Sequence, residues 1–93
     1  MEKAKVYFTK VITPENVIKM YETLGIELPG KIAIKLHSGE KGNQNYLRPE
    51  FVKQIIEHVN GAVVECNTAY EGERNSTPKH KKLLEEHGWN QYF

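Results

Sequence analysis

The 93-residue chain has little cysteine and no long apolar run. Its single cysteine, Cys66, excludes an internal disulfide framework and suits a reducing compartment, so we expect a cytoplasmic protein. No apolar run approaches the ~20 residues that cross a bilayer, and the first residues lack the apolar segment of a signal peptide. A formal net charge of +1 gives no general attraction to nucleic acid or to a membrane. Composition therefore predicts a globular protein, with residues 1–93 as a single domain.

Strand-like and helix-like segments alternate along the chain. Three runs rich in β-branched or aromatic residues predict strands: 5–9, 31–36 and 62–64. Three helices are predicted to begin at a proline that follows a polar residue: Thr13-Pro14, Arg48-Pro49 and Thr77-Pro78. This order predicts an α/β fold of the βαβαβα type, with a parallel, Rossmann-like sheet in two or three layers. The aromatic tail, residues 89–93, could add a short fourth strand.

The second predicted strand has one polar face, formed by Lys31, Ala33 and Lys35. A parallel strand enclosed on both sides is usually apolar on both faces. We therefore expect this strand to lie at an edge of the sheet, or to be covered by something outside this chain. Together with the aromatic residues at the end of the sequence, this favours the N-terminal fragment of a longer protein.

Two long polar loops follow the second and third predicted strands, at residues 35–48 and 65–74. Plain connections in compact domains need only a few residues, and binding groups are commonly displayed on loops. The carboxyl ends of parallel strands lie at the same edge of the sheet, which is where α/β proteins bind ligands. The two loops therefore predict one binding site to which both contribute.

The first loop has features of an anion site. Gly39 and Gly42 permit backbone conformations that turn N–H groups inward, and Arg48 could hold a phosphate or carboxylate through two hydrogen bonds. The spacings of a Walker loop and of a dinucleotide fingerprint are both absent. The alternative is that the glycines serve only the turns of the loop.

Alternation along the strands predicts which side chains share a cleft. Lys35 and His37 lie on one face of the second strand, and Glu65 and Asn67 on one face of the third. If the two strands are neighbours, Lys35 would be an electrostatic anchor and His37 the best candidate for a base, because an imidazole takes up a proton near neutral pH. The alternative for His37 is a surface side chain bonded to its own loop.

The third predicted helix begins with unusually many basic residues. Lys79, His80, Lys81 and Lys82 crowd its first turns, which is the reverse of what the helix dipole favours. A bound anion near Thr77 and His80 would relieve this repulsion, as would acidic residues of the preceding loop. A solvated, charged turn is the plain alternative.

Residues of metal-binding type are present without metal-binding spacing. His37, Glu40, Glu65, Cys66 and His80 include no pair such as Cys-x-x-Cys. We expect no metal in this chain, and we expect Cys66 to be a small buried side chain.

The two loops together resemble a known family. Residues 35–43, 45–49 and 65–74 are similar to DUF362, a prokaryotic domain of unknown function attributed to iron–sulfur centre proteins, and residues 5–9 and 80–88 extend the resemblance. The resemblance implies a longer protein in which cysteine-rich iron–sulfur motifs follow. Since this chain has one cysteine, we expect no cofactor within it and an iron–sulfur cluster only in the full-length protein. Cys66 also stands where many relatives have Asp.

Three functions are open at this point. The leading hypothesis is a strand-end cleft that binds a small anionic ligand or cofactor. The expected lining residues are Lys35, His37, Gly39, Glu40, Asn43, Arg48, Asn67, Tyr70, Arg74 and His80. The second hypothesis is a non-enzymatic module that docks the C-terminal region of its own protein or an electron-transfer partner. The third is a hydrolase or isomerase that uses His37 as base, with Glu40 or Glu65.

Overall fold

A computed structural model describes residues 2–93. It contains three helices and two strands, in the order α1 (Pro14–Glu22), β1 (Ile32–Lys35), α2 (Pro49–Val59), β2 (Gly61–Val64) and α3 (Thr77–Glu86). The predicted α/β class is confirmed. Within residues 2–93, no helix has both the length and the apolar character needed to cross a membrane.

Local sequence signals set the ends of the helices. The Thr13 hydroxyl accepts a hydrogen bond of 3.1 Å from the Asn16 N–H, which caps α1 just before Pro14. Asn60 adopts the left-handed conformation (φ 51°) that ends α2, so β2 can begin at the next residue. Helix α3 begins at Thr77, with Ser76 as its N-cap, one residue earlier than expected.

The two strands pair in parallel, with Ile32 opposite Gly61 and Lys35 opposite Val64. Helix α2 packs against β2, and α1 packs against α2. The sheet face with Ile32, Ile34 and Val63 is at least partly buried, whereas four residues of the other face are exposed: Ala33, Lys35, Ala62 and Val64. The described residues therefore form two layers, and β1 is an edge strand whose polar face is open, as expected.

Residues 5–9 do not form the predicted strand. Val6 and Phe8 are 88% and 81% exposed, so this segment has neither a neighbouring strand nor a covered face. A strand-like composition is not sufficient for a strand, which also needs a paired neighbour and a covered face. The sheet of residues 2–93 has two strands, too few to display a Rossmann-like order.

The aromatic tail forms a turn and not a fourth strand. Gly88 (φ 81°) lies two residues beyond the end of α3, and Trp89, with no exposed surface, packs in the core with Val52 and Leu84. The Tyr92 carbonyl accepts a hydrogen bond of 3.1 Å from the Val63 N–H, so the tail meets β2 at a single backbone bond. Burial of the indole ring decides the conformation of the tail, because a ring this large contributes strongly to a small core.

Candidate functional site

The two polar loops meet at the carboxyl ends of β1 and β2. His37 lies two residues beyond β1 and Glu65 directly follows β2. The Ser38 N–H lies 3.3 and 3.4 Å from the two carboxylate oxygens of Glu65, which links the first loop to the second. The side chains that hydrogen-bond here are called the strand-end cluster: His37, Glu40, Glu65, Asn67, Tyr70, Arg74 and His80.

Arg74 lies at the centre of the strand-end cluster. Its Nη1 donates to Glu40 Oε1 at 2.5 Å, and its Nη2 donates to Glu65 Oε1. The side chains of Arg74 and Glu65 are 6% and 5% exposed. Burial lowers the pKa of Arg74, but the two carboxylates outweigh it and hold this pKa above its ordinary value. Arg74 therefore joins the two loops as a buried cation between two anions.

The two carboxylates are held in their charged form. Burial raises the pKa of Glu65, but hydrogen bonds from Ser38 and the charge of Arg74 outweigh it, so this pKa lies below its ordinary value. A hydrogen bond from the Tyr70 hydroxyl is the main cause of the lowered pKa of Glu40, with Arg74 adding to it. The same bond raises the pKa of Tyr70.

His80 attaches α3 to the second loop. Its Nδ1 lies 2.9 Å from Asn67 Oδ1, and its Nε2 lies 3.1 Å from Glu65 Oε2. Asn67 Nδ2 in turn donates to Thr77 Oγ1 at 3.2 Å. The acid that contacts the basic start of α3 is thus Glu65, which follows a strand, and it does so at His80.

His37 lies at the exposed side of the strand-end cluster. Its Nδ1 accepts a hydrogen bond of 3.0 Å from the Gly39 N–H, and its Nε2 lies 3.0 Å from Arg74 Nη1. A neutral imidazole has one acceptor nitrogen, so the ring can accept only one hydrogen bond from these two donors. This geometry gives no support to His37 as a base. It is closer to the alternative, in which a surface imidazole is bonded to its own loop.

Gly39 serves packing at this edge of the sheet. Its φ of 105° disfavours other residues, and an added Cβ would lie 2.6 Å from Tyr46 Cγ and 2.9 Å from His87 Nδ1. The Tyr46 and His87 rings stack there, with centroids 4.1 Å apart. Gly39 therefore allows the first loop to approach these rings closely.

Two predicted site residues lie away from the strand-end cluster. Asn43 Oδ1 accepts a 2.9 Å hydrogen bond from the Asn45 N–H. Arg48 donates to the Gln44 carbonyl at 2.6 Å, and its guanidinium lies 4.2 Å from the centroid of the Tyr46 ring. Both side chains hold the first loop in shape, so a bidentate anion contact at Arg48 is not prepared in this structure.

Two clefts flank Glu65 and Cys66. The first, called the Lys35 cleft, has a volume of about 410 Å³ and is lined by Lys35, Leu36, His37 and Arg74 in addition to these two residues. The second, called the Phe93 cleft, has a volume of about 660 Å³ and lies between α3 and the end of the chain. Cys66 is exposed between them, so the expectation of a buried thiol is wrong.

Glu65 and Ser38 contribute more than the sequence indicated. Glu65 was expected to share a strand face with Asn67, but it contacts Arg74, His80 and Ser38 at once. Its place directly after β2 was a signal for such a role. The role of Ser38 depends on its backbone N–H and carbonyl groups, which no side-chain pattern reveals. Among residues 2–93, no three His, Cys, Asp or Glu side chains form a group that could hold a metal ion.

Residues 32–93 match the family described as "Domain of unknown function (DUF362)". The match runs from β1 to the end of the chain and includes every member of the strand-end cluster, whereas α1 lies outside it. Searches of curated proteins and of solved structures found no match.

Proposed function

This chain belongs to the DUF362 family, and we propose that it binds a small anionic ligand in the Lys35 cleft. One observation carries the proposal: three nitrogen-bearing side chains, Lys35, His37 and Arg74, line this cleft. It lies beyond the carboxyl ends of two parallel strands, the usual position of ligand sites in α/β sheets.

One cation of the cleft, Lys35, is available to an anion. Lys35 forms no ion pair with any residue in the described range 2–93. The acid that lines the cleft, Glu65, already contacts Arg74 and His80. In addition, Arg74 Nε is buried and has no acceptor among the described residues. Lys35 therefore has no acidic partner among residues 2–93, and a carboxylate or phosphate oxygen would supply one, whereas the buried Arg74 Nε is out of a ligand's reach.

The size of the cleft favours a small ligand. A volume of about 410 Å³ lies toward the lower end of the roughly 300–1,000 Å³ that small-molecule sites occupy. Inorganic phosphate or a short dicarboxylate fits this volume. In the proposed complex Lys35 contacts the anion directly, and buried Arg74, already paired with Glu40 and Glu65, holds the two loops in place.

Isothermal titration calorimetry with phosphate and with malonate tests the proposal. The Lys35→Ala variant should bind at least about tenfold more weakly than the unaltered chain. Lys31→Ala is the matched control, because it removes the same charge just before β1, at the opposite end of that strand, and it should bind normally. An equal loss of anion affinity in both variants, or no binding of either anion by the unaltered chain, would overturn the proposal.

A second candidate function is docking, and the exposed N-terminal segment favours it. Val6, Phe8 and Ile12 are large apolar side chains that remain mostly exposed. We propose as the occupant the C-terminal region, with its iron–sulfur motifs, that the family resemblance implies. Hydrogen exchange of residues 5–12 should then slow in a longer version of the protein. Unchanged exchange would contradict docking at this segment.

A further inference from the structure

The Phe93 cleft changes in character from one end to the other. Thr77, Lys81 and Leu84 line it and lie on one face of α3, since residues four and three apart are neighbours on a helix surface. The cleft is therefore polar near the start of α3 and becomes apolar one to two turns later. Phe93, from the end of the chain, adds to the apolar part.

The polar end of the cleft offers hydrogen-bond donors. Thr77 Oγ1 already accepts from Asn67 Nδ2, which leaves the hydroxyl hydrogen of Thr77 able to donate to a ligand. Lys81 adds a positive charge and forms no ion pair within the described part of the chain. These groups suit a ligand that carries acceptor oxygens.

The acids and the histidine that line the same cleft leave those donors available. Glu65 and His80 are buried and bonded to each other, with Glu65 also held by Arg74. Glu85, the remaining acid, is exposed and lies one turn beyond Lys81 on α3. An anion at Thr77 and Lys81 would therefore meet two carboxylates: Glu65, whose charge is compensated by Arg74, and Glu85, whose charge is screened by solvent.

The apolar end of the cleft is held in place by the core. Leu84 belongs to the core cluster with Val52 and Trp89. The Phe93 ring packs edge-on against Trp89, with centroids 6.1 Å apart, and it remains partly exposed beside the cleft. A ligand that covers this surface would gain roughly 25 cal/mol for each Å² of apolar area removed from water.

We infer that the Phe93 cleft is a second binding site, separate from the Lys35 cleft, for a small organic acid with an apolar body. The carboxylate would contact Thr77 and Lys81, and the ring or chain would lie against Leu84 and Phe93. A volume of about 660 Å³ admits a molecule of the size of an aromatic carboxylate. The inference does not depend on the ligand of the Lys35 cleft.

The test uses benzoate as the probe and acetate as its headgroup alone, with amide NMR spectra of the full 93-residue chain. We expect saturable benzoate shifts at Asn67, Thr77, Lys81 and Phe93, and at least about tenfold weaker binding of acetate. Lys81→Ala should weaken benzoate binding at least about tenfold. Lys82→Ala is the matched control and should leave it unchanged, because Lys82 does not line the cleft.

Three results would overturn the inference. The first is equal affinity for acetate and benzoate. The second is an equal loss of benzoate affinity in the Lys81→Ala and Lys82→Ala variants, and the third is benzoate shifts confined to the Lys35 cleft. Thr77→Val removes the hydroxyl with little change in side-chain size, and it should also weaken the binding of benzoate. Phosphate binding at Lys35, measured separately, shows whether the other cleft functions independently of this one.

Discussion

Arg74 and Glu65 form an ion pair that is almost completely removed from solvent, with 6% and 5% of the two side chains exposed. Removing two charges from water is costly unless their remaining hydrogen-bonding groups are also satisfied. Glu65 meets this condition through Ser38 and His80, and Arg74 meets it in part through Glu40 of the first loop, since its Nε has no acceptor among the described residues. The pair therefore fixes the positions of both loops at the strand ends.

Replacing Glu65 with Gln should destabilise the fold. The change leaves buried Arg74 with one carboxylate partner in place of two, and we expect a loss of about 3 kcal/mol in the free energy of unfolding. Urea denaturation measures it. Glu71→Gln is the control, since Glu71 is exposed and forms no ion pair among residues 2–93. If both variants unfold at the same urea concentration, the buried pair does not have this role.

Acid should weaken the fold through the same two carboxylates. The pKa values of Glu40 and Glu65 lie below their ordinary value of 4.5 in the folded protein, so the unfolded chain binds protons first as the pH falls. Their contribution to stability is complete above about pH 5.5 and is lost as the pH falls through 4.5 toward the folded-state values. Urea denaturation between pH 6 and pH 3 should show this loss of stability. In Glu65→Gln the free energy of unfolding should depend less steeply on pH. Parallel pH curves would contradict the assignment.

Two glycines of the first loop provide a matched pair. Both Gly39 and Gly42 have positive φ, but a Cβ at Gly39 would overlap Tyr46 and His87, whereas one at Gly42 would meet nothing within 4 Å. Gly42→Ala should lower the free energy of unfolding by about 1–2 kcal/mol, because alanine disfavours positive φ. Gly39→Ala should lower it by about 1–3 kcal/mol more, because its Cβ also overlaps the two rings. Thermal unfolding followed by circular dichroism compares them. Equal melting temperatures would show that Gly39 does not support this packing.

The helices and the meeting of the two polar loops could be predicted because their causes are local or topological. Thr13 before Pro14 marks a helix start in any context, and the carboxyl ends of parallel strands share one edge of a sheet. The partners of individual side chains depend on tertiary contacts. Arg48 and Asn43 have the chemistry of an anion site, yet they bond within their own loop.

The strand predictions at the two ends of the chain were wrong for opposite physical reasons. Residues 5–9 pair with neither strand of the sheet, and their apolar side chains remain exposed. Residues 89–93 lie next to β2, but burial of Trp89 and the reversal at Gly88 decide their path. Strand propensity alone predicts neither of these outcomes.

Trp89 should stabilise the protein through both its ring and its Nε1–H, which donates to the Ser38 carbonyl at 3.1 Å. Trp89→Phe removes this bond and leaves a void, and we expect a loss of about 1–3 kcal/mol in the free energy of unfolding. Tyr92→Phe is the control, because the Tyr92 hydroxyl has no hydrogen-bond partner among residues 2–93. A loss in Tyr92→Phe equal to that in Trp89→Phe, measured by urea denaturation, would contradict the role of the indole bond.

The most direct test of the account is an amide-resolved NMR titration of the 93-residue chain with inorganic phosphate. We expect saturable shifts at residues 35–40 and at Arg74, around the Lys35 cleft, and their loss in the Lys35→Ala variant. Shifts scattered over the exposed lysines, or shifts that persist unchanged without Lys35, would contradict an anion site at the strand ends.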